Sequence, residues 1–177
     1  MKNLGEKRII AAVRTETEFD LALDSKVACI FLLCSNILTL SEWLNKAHAA
    51  RKKMFVHLDM SEGIGRDAAG VTYLAKLGVD GIISTRTGII RTARELGLPA
   101  VQRVFSIDSQ ALQVSTAAQP SYIEVMPGVI PKVIRRFCDT TDVPIIAGGL
   151  IETADEVAAA LQSGAAAVST TNRMLWN

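Results

Sequence analysis

The stretches Pro144-Ile-Ile-Ala-Gly-Gly-Leu-Ile-Glu-Thr153 and Gly164-Ala-Ala-Ala-Val-Ser-Thr-Thr-Asn172 decide how this chain folds. Each begins with an apolar run typical of a buried strand and ends in a loop of glycines or hydroxyl-bearing residues. Thr153 is a typical N-cap residue, and the segment from there to about Ser163 predicts a helix between the two strands. The sequence therefore predicts two consecutive strand–loop–helix units.

The two loops together indicate a phosphate site. Glycine lets the backbone approach a ligand closely, and hydroxyls and backbone N–H groups donate hydrogen bonds to phosphate oxygens. In barrels of parallel strands, the loops after the last two strands frequently form such a site. We therefore predict a phosphate group bound by Gly148, Gly149, Ser169, Thr170 and Asn172.

Further apolar runs recur along the chain at intervals of roughly 20–25 residues, which is typical of a repeated unit. The predicted strands begin near Ile9, Ala28, Met54, Asp80, Ala100, Tyr122, Pro144 and Ala166. Eight strands alternating with helices predict a small α/β protein with a (β/α)8 barrel of the TIM type, formed by residues 1–177 as a single domain. The alternative, an open doubly wound sheet, usually carries a G-x-G-x-x-G turn after its first strand, and Val13-Arg-Thr-Glu-Thr17 has none.

Helix signals separate these strands. Most segments begin with a capping residue, and several end at glycine. The predicted helices are 16–23 after Thr15, 42–50 after Ser41, 68–77 after Asp67, 88–96 after Thr87, 131–137 from Pro131, and a final stub at 173–176.

Composition excludes several classes of protein. The 19 Lys and Arg residues against 18 Asp and Glu give a net charge of +1, so bulk charge does not indicate nucleic-acid binding. The basic clusters at 51–53, at Arg86, Arg91 and Arg94, and at Lys132, Arg135 and Arg136 are typical of solvated helix faces. We expect no signal peptide and no membrane span. The three unpaired cysteines, Cys29, Cys34 and Cys138, favour reduced thiols in the cytoplasm.

Polar residues at the carboxyl ends of the predicted strands are candidates for ligand contact. Alternation along a strand predicts His57 and Asp59 on one face, with Leu58 on the other. Arg103 could recognise an anion through its planar guanidinium or form an ion pair with Glu124 on the next strand. The remaining candidates at this rim are Arg14, Glu62, Ser84, Thr85, Gln102 and Lys132.

Metal and covalent chemistry are weakly supported. Asp59 and Glu62 could offer oxygen ligands to Mg²⁺, but His48 and His57 are the two histidines of the chain and no cysteine cluster exists. We expect His48 to be solvated on a helix surface. The sequence predicts no metal site, no cofactor and no catalytic triad.

Seven motifs between Phe55 and Asn172, in the same order, resemble those of the glycerol uptake operon antiterminator regulatory proteins, and the resemblance as a whole extends from Arg8 to Trp176. The motifs are Phe55-Val-His-Leu-Asp-Met-Ser-Glu-Gly63, Asp80-Gly-Ile-Ile-Ser-Thr85, Gln102-Arg103 followed by Asp108-Ser109, Ile123-Glu-Val-Met-Pro-Gly128, Pro131-Lys132, Ile146-Ala-Gly-Gly-Leu-Ile151 and Ala167-Val-Ser-Thr-Thr-Asn172. Met60-Ser61 and Thr171 depart modestly from the family pattern. The resemblance covers nearly the whole chain.

This resemblance implies a barrel that senses glycerol-3-phosphate and, when liganded, binds the leader mRNA of a glycerol-catabolic operon to prevent premature termination. It implies a regulator and not an enzyme. We expect the glycerol end of the ligand to be bound by His57, Asp59, Arg103 and Glu124. The sequence is compatible with a homo-oligomer. The competing class is a phosphate-binding barrel enzyme, either a glycerol phosphate prenyltransferase or a sugar-phosphate isomerase, because the last two motifs also resemble those enzymes.

Overall fold

The structure is a computed structural model that describes residues 8–105 and 118–177. Eight parallel strands form a closed barrel, in which the first and second strands of the chain are also hydrogen-bonded to each other. The predicted (β/α)8 fold class is confirmed. Asp108 and Ser109, part of one sequence motif, lie outside the described residues.

Every predicted barrel strand is present, and each begins within one residue of its predicted start. The barrel strands are β1 Ile9–Val13, β2 Cys29–Leu32, β4 Lys53–His57, β6 Gly81–Ser84, β7 Ala100–Phe105, β8 Tyr122–Met126, β9 Ile145–Gly148 and β10 Ala167–Thr170. They are nearly all buried, as expected for parallel strands covered by helices on the outside. The two-residue strands β3 Ser35–Asn36 and β5 Ser61–Glu62, which the sequence did not predict, pair with each other above the barrel.

Alternation along the strands divides the core into two layers. Residues such as Ile10, Phe31, Phe55 and Ile146 form one cluster of strand side chains, which fills the barrel interior. Their strand neighbours face outward and pack against the helices in two further clusters. The interior cluster is apolar through the middle of the barrel, so polar inward residues occur at the carboxyl ends of the strands, where a ligand can reach them.

Six helices lie in the described part of the chain. Their bounds are α1 Glu16–Asp24, α2 Leu40–Ala49, α3 Ala68–Leu77, α4 Thr87–Glu95, α5 Pro131–Thr140 and α6 Ala154–Gln162. The predicted N-caps Thr15, Asp67 and Thr153 are confirmed, because each side chain accepts a hydrogen bond from a first-turn N–H. None of the described helices is long and apolar enough to cross a membrane.

Two predicted helix starts were wrong. Thr39, and not Ser41, occupies the N-cap of α2, and Arg86 precedes α4, so Thr87 lies inside the helix. Neither N-cap residue makes a side-chain capping bond, so the sequence signal was misleading. Helix α5 extends to Thr140, and the predicted final stub is a 3₁₀ turn, Arg173–Leu175.

The prediction of a strand running through Asp59 was also wrong. Strand β4 ends at His57, and Leu58–Met60 form a 3₁₀ turn, so His57 and Asp59 do not share a strand face. His57 remains in the strand, whereas Asp59 turns toward the loop after β6, where three hydrogen bonds hold its carboxylate.

Candidate ligand-binding site at the barrel mouth

A cavity of about 260 Å³ lies at the carboxyl ends of the strands, on the side formed by β1, β8, β9 and β10. Six residues that the sequence singled out line it: Arg14, Arg103, Glu124, Gly149, Ser169 and Thr170. The structure therefore brings together residues that lie far apart in sequence. The volume suits a small metabolite.

A buried ion pair forms part of the cavity wall. Arg103 Nε donates to Glu124 Oε2 at 2.6 Å, and the two side chains are 8% and 1% exposed. Ser169 Oγ donates to the other carboxylate oxygen, Oε1, also at 2.6 Å. Register explains the pairing, because Arg103 on β7 lies directly beside Glu124 on β8. Of the two roles considered for Arg103, the ion pair with Glu124 is present.

Gly148 and Gly149 have different structural roles. A Cβ on Gly148, the last residue of β9, would lie 2.6 Å from both Glu124 Oε1 and Ser169 Oγ. Gly148 therefore leaves room for the hydrogen bond between those two side chains. Gly149 adopts φ +78°, a left-handed conformation that favours glycine, and its backbone lines the cavity.

The loop after Gly149 keeps an unusual backbone. Leu150 has φ +62°, so two consecutive residues are left-handed, and its side chain is 70% exposed. Left-handed backbone is uncommon for a residue other than glycine and concentrates at functional sites. Turns that point successive N–H groups into one concavity bind anions.

The N-termini of α1 and α6 are capped by glutamate side chains from their own first turns. Glu156 accepts hydrogen bonds from the N–H groups of Glu152 and Thr153 at 2.8 and 2.9 Å. In the same way, Glu18 accepts from Arg14 N and Thr15 N at 2.7 and 3.2 Å. These four N–H groups are therefore not free to bind an anion, whereas the Arg14 side chain and the loop at Gly149 line the cavity.

Thr170 and Asn172 hold the loops together. The Thr170 hydroxyl donates to the carbonyl of Ile151 at 2.7 Å and accepts from the N–H of Asn172 at 3.0 Å. Asn172 does not line the cavity; its amide donates to the carbonyl of Glu152 at 2.5 Å and its Oδ1 caps Met174 N. Both side chains fix the position of the loop after β9.

Asp59, Ser84 and Thr85 form a second cluster outside the cavity lining. The Asp59 carboxylate accepts from Ser84 Oγ at 2.7 Å and from Thr85 N and Oγ1 at 2.7 and 2.8 Å. Burial opposes ionisation of Asp59, but these hydrogen bonds outweigh it and hold its pKa below the ordinary value. Arg86 Nε lies 3.8 Å from the same carboxylate.

His57 is buried near the ion pair but does not line the cavity. Burial, and then the positive charge of Arg103, lower the pKa of His57 to about 4, so the imidazole is neutral at pH 7. Within the described residues, its Nδ1 has no hydrogen-bond partner, and neither has Gln102 Oε1. Gln102 faces outward, and its amide donates to the carbonyl of Thr85 at 2.8 Å.

The other predicted rim residues lie apart from the cavity. Glu62 accepts from Asn36 Nδ2 at 2.7 Å between the two short strands, and Lys132 is exposed in the first turn of α5. His48 is exposed, as expected, but also contacts Asp80 at 2.9 Å. Across residues 8–105 and 118–177, no group of three or more His, Cys, Asp or Glu side chains is arranged to hold a metal ion.

Sequence reasoning missed several residues at the cavity. Met126 lines it, two residues after Glu124 on β8, so strand alternation alone would have placed it on the same side. Gly128 lets the β8 loop approach β9, because a Cβ there would lie 2.6 Å from Gly148 N. The other lining residues missed are Ala12, Leu33, Leu150, Ile151, Glu152 and Thr171.

Several known proteins share this architecture. A crystal structure of a glycerol uptake operon antiterminator regulatory protein from Listeria monocytogenes is 34% identical, with TM-score 0.91 over 97% of this chain and 96% of that chain. A related protein from Thermotoga maritima is 32% identical, with TM-score 0.84 over 95% and 96% of the two chains. Aldolases at 12–14% identity are also similar, which shows the fold alone.

Sequence comparison leads to the same group. The chain is 34% identical to the uncharacterised Escherichia coli protein YgcP over 179 residues, which span 98% of this chain and 93% of that protein. A family model described as glycerol-3-phosphate responsive antiterminator matches residues 9–176, nearly the whole chain. The chain therefore belongs to the glycerol-3-phosphate responsive antiterminator family.

Proposed function

We propose that this protein is a single-domain transcription antiterminator that binds glycerol-3-phosphate in the cavity at the barrel mouth. In the liganded state it binds the leader mRNA of a glycerol-catabolic operon. The observation that carries this proposal is the family match over residues 9–176, combined with a small polar cavity where the family's ligand would be expected.

The phosphate of the ligand is assigned to the outer part of the cavity. Arg14 and the left-handed loop at Gly149 and Leu150 line this part. An arginine guanidinium and backbone N–H groups are the usual partners of phosphate oxygens. Arg103 is already paired with Glu124, whereas Arg14 forms no ion pair among the described residues, which favours placing the phosphate toward Arg14.

The glycerol end is assigned to the wall formed by Glu124, Arg103 and Ser169. These side chains line the cavity and are almost completely buried, so a ligand that reaches them is shielded from water. Carboxylate and hydroxyl oxygens accept hydrogen bonds from alcohol groups. Asp59 is not assigned to the ligand, because it does not line the cavity and its carboxylate is bonded to Ser84 and Thr85.

A regulatory role suits this cavity better than catalysis. A prenyltransferase needs a long apolar groove, and an isomerase needs a free acid–base pair in reach of the substrate. Glu124 is engaged by Arg103 and Ser169, and His57 does not line the cavity. Among the described residues, the lining also contains no lysine, which Schiff-base chemistry requires. These observations support a binding protein.

A gel-shift titration tests the proposal. Leader RNA of a glycerol operon is titrated with the full chain, with and without saturating glycerol-3-phosphate, at moderate salt. We expect tighter binding with the ligand. By linkage, calorimetry must show that the RNA tightens glycerol-3-phosphate by the same factor. An unrelated RNA of equal length serves as the control.

Two results would contradict the proposal. Ligand-independent RNA binding would remove the regulatory part. Turnover of glycerol-3-phosphate with a prenyl diphosphate, or of a sugar phosphate, would favour the enzyme instead.

A further inference from the structure

At Glu124 and Ser169 the inner wall of the cavity presents hydrogen-bond acceptors. Glu124 Oε2 accepts from Arg103 Nε, and Oε1 accepts from Ser169 Oγ, both at 2.6 Å. A carboxylate oxygen has two lone pairs, and an ionised carboxylate has no hydrogen to donate. Glu124 can therefore accept a further hydrogen bond from a ligand but cannot donate one.

Ser169 reinforces this polarity. A serine hydroxyl has one hydrogen, and that of Ser169 is directed at Glu124. The Ser169 oxygen can then accept a hydrogen bond from the ligand but cannot donate one. The Arg103 Nε–H is likewise directed at Glu124. The Nη hydrogens of Arg103 remain donors on this wall, so the selectivity applies to the ligand oxygen that lies against Glu124 and Ser169. The absence of a side chain at Gly148, where a Cβ would lie 2.6 Å from both acceptor atoms, leaves this pair in place.

We propose that Glu124 and Ser169 make the cavity selective for the oxidation state of its ligand: it accepts a phosphorylated polyol and rejects the corresponding ketone. An alcohol donates its hydrogen to these acceptors, whereas a carbonyl oxygen at the same place faces their lone pairs. The inference rests on the proposed function, because it assumes that the ligand is a three-carbon phosphate. It also assigns Ser169 to the hydroxyl end of the ligand and not to the phosphate.

The expected discrimination is large. A site built to hydrogen-bond a hydroxyl rejects an analogue that lacks it, because the buried polar groups of the protein then lose their partner. Burial strengthens the effect, since Glu124 and Ser169 are 1% and 3% exposed and water has little access to replace the lost donor. We expect glycerol-3-phosphate to bind at least about tenfold more tightly than dihydroxyacetone phosphate.

Isothermal titration calorimetry on the full chain tests this selectivity. The parent protein, Glu124→Gln and Glu152→Gln are each titrated with glycerol-3-phosphate and dihydroxyacetone phosphate. Glutamine at position 124 can donate an N–H to a carbonyl, so the affinity ratio should fall to near one. Glu152 lies on the exposed rim of the same cavity. Its conversion to glutamine should change both affinities together and keep the ratio.

A second variant covers the case in which Glu124→Gln does not fold. Ser169→Ala removes one acceptor and retains the Arg103–Glu124 pair, and we expect it to reduce the ratio several-fold. Equal affinity of the parent protein for alcohol and ketone would overturn the selectivity while leaving the proposed ligand class intact. An unchanged ratio in both Glu124→Gln and Ser169→Ala would also overturn it. If neither compound binds the parent protein, the proposed function fails together with the inference.

Discussion

Gly149 lies directly against Met126 at the cavity wall: a Cβ on Gly149 would come within 2.7 Å of Met126 Cε. Gly149 also has φ +78°, so an alanine there meets two separate obstacles, one in the backbone and one in the neighbouring side chain. The flexible end of Met126 can move aside, but it would then move within the cavity that it lines.

Replacement of Gly149 should therefore have two separate effects, a loss of stability and a loss of ligand affinity. We expect Gly149→Ala to cost about 1–2 kcal/mol of unfolding free energy through its left-handed backbone. We also expect several-fold weaker binding of glycerol-3-phosphate. Urea unfolding and calorimetry measure the two effects.

The matched control is Gly97→Ala. Gly97 has φ +72°, but a Cβ there meets no atom within 4 Å and lies far from the cavity. It should show a similar loss of stability with unchanged affinity. A Gly149→Ala protein that binds as tightly as its parent would place the phosphate elsewhere.

The Arg103–Glu124 pair should show strong energetic coupling. Removal of one partner leaves a buried charge without compensation, which typically costs about 3–5 kcal/mol. We expect this range for both Arg103→Met and Glu124→Gln in urea unfolding. The double variant should lose much less than the sum of the two, because it leaves neither buried charge. Additive losses would contradict a direct interaction at 2.6 Å.

Asp59 should behave as a structural residue. Its carboxylate joins the 3₁₀ turn after β4 to the loop after β6 through Ser84 and Thr85. We expect Asp59→Ala to lower the unfolding free energy by about 2–3 kcal/mol, since a half-buried charged acceptor is removed. The affinities for glycerol-3-phosphate and inorganic phosphate should fall by the same factor. Selective loss of glycerol-3-phosphate would instead show direct contact with the glycerol end.

The contrast between Asp59 and Glu124 shows what the sequence could predict. Strand existence, the closed barrel and the inward position of Glu124 follow from apolar runs and alternation, which are properties of regular strands. The predicted strand position of Asp59 was wrong because β4 ends two residues earlier, and alternation does not continue into a 3₁₀ turn. Sequence patterns predict the ends of strands less reliably than their middles, yet functional residues concentrate at the ends.

The sequence predicted which loops line the site, but not which contacts the individual loop residues make. That Gly148, Gly149 and Ser169 bind a phosphate together stays a prediction. The structure adds that Gly148 makes room for a buried hydrogen bond and that Ser169 donates to Glu124. These roles depend on β8, whose residues lie about twenty or more positions earlier in the chain. Contacts between distant segments are not encoded in the local spacing.

His57 should make stability depend on pH. Its pKa is about 4 in the folded protein, compared with 6.5 in the unfolded chain, so the unfolded state binds the proton more readily between these values. This contribution to stability is complete above pH 6.5 and declines as the pH falls toward 4. We expect a loss of about 2 kcal/mol between pH 7.5 and pH 5.

Urea unfolding at the two pH values measures this loss. His57→Gln should show a much smaller decline, because no imidazole titrates at that position. His48→Gln should retain the full decline, and it is a fair control because these are the two histidines of the chain. Equal declines in the parent protein and His57→Gln would contradict the assignment to His57, whose charged neighbours are Arg103, Asp59 and Glu124.

The basic face of α5 should carry RNA binding. Arg135 and Arg136 are exposed on this helix, and in the described part of the chain neither forms an ion pair. With a net charge of +1, RNA contact requires a local patch of this kind. We expect Arg135→Ala/Arg136→Ala to weaken binding of leader RNA about tenfold or more. The variant makes fewer phosphate contacts, so RNA binding releases fewer counterions. The slope of log K against log salt should therefore become less negative by roughly 1.5.

Arg51→Ala/Lys76→Ala provides the matched control for this test. It removes the same amount of charge from exposed residues that form no ion pair in the described part of the chain, one just after α2 and one in α3, away from α5. If RNA binding depended on overall charge, both double variants would weaken it equally, whereas a patch on α5 predicts an effect of Arg135→Ala/Arg136→Ala alone. Glycerol-3-phosphate affinity without RNA should be unchanged in both, because neither pair lines the cavity. An α5 variant with normal RNA affinity and normal salt dependence would move the RNA site to another face, and the cluster at Arg86, Arg91 and Arg94 would be the next to test.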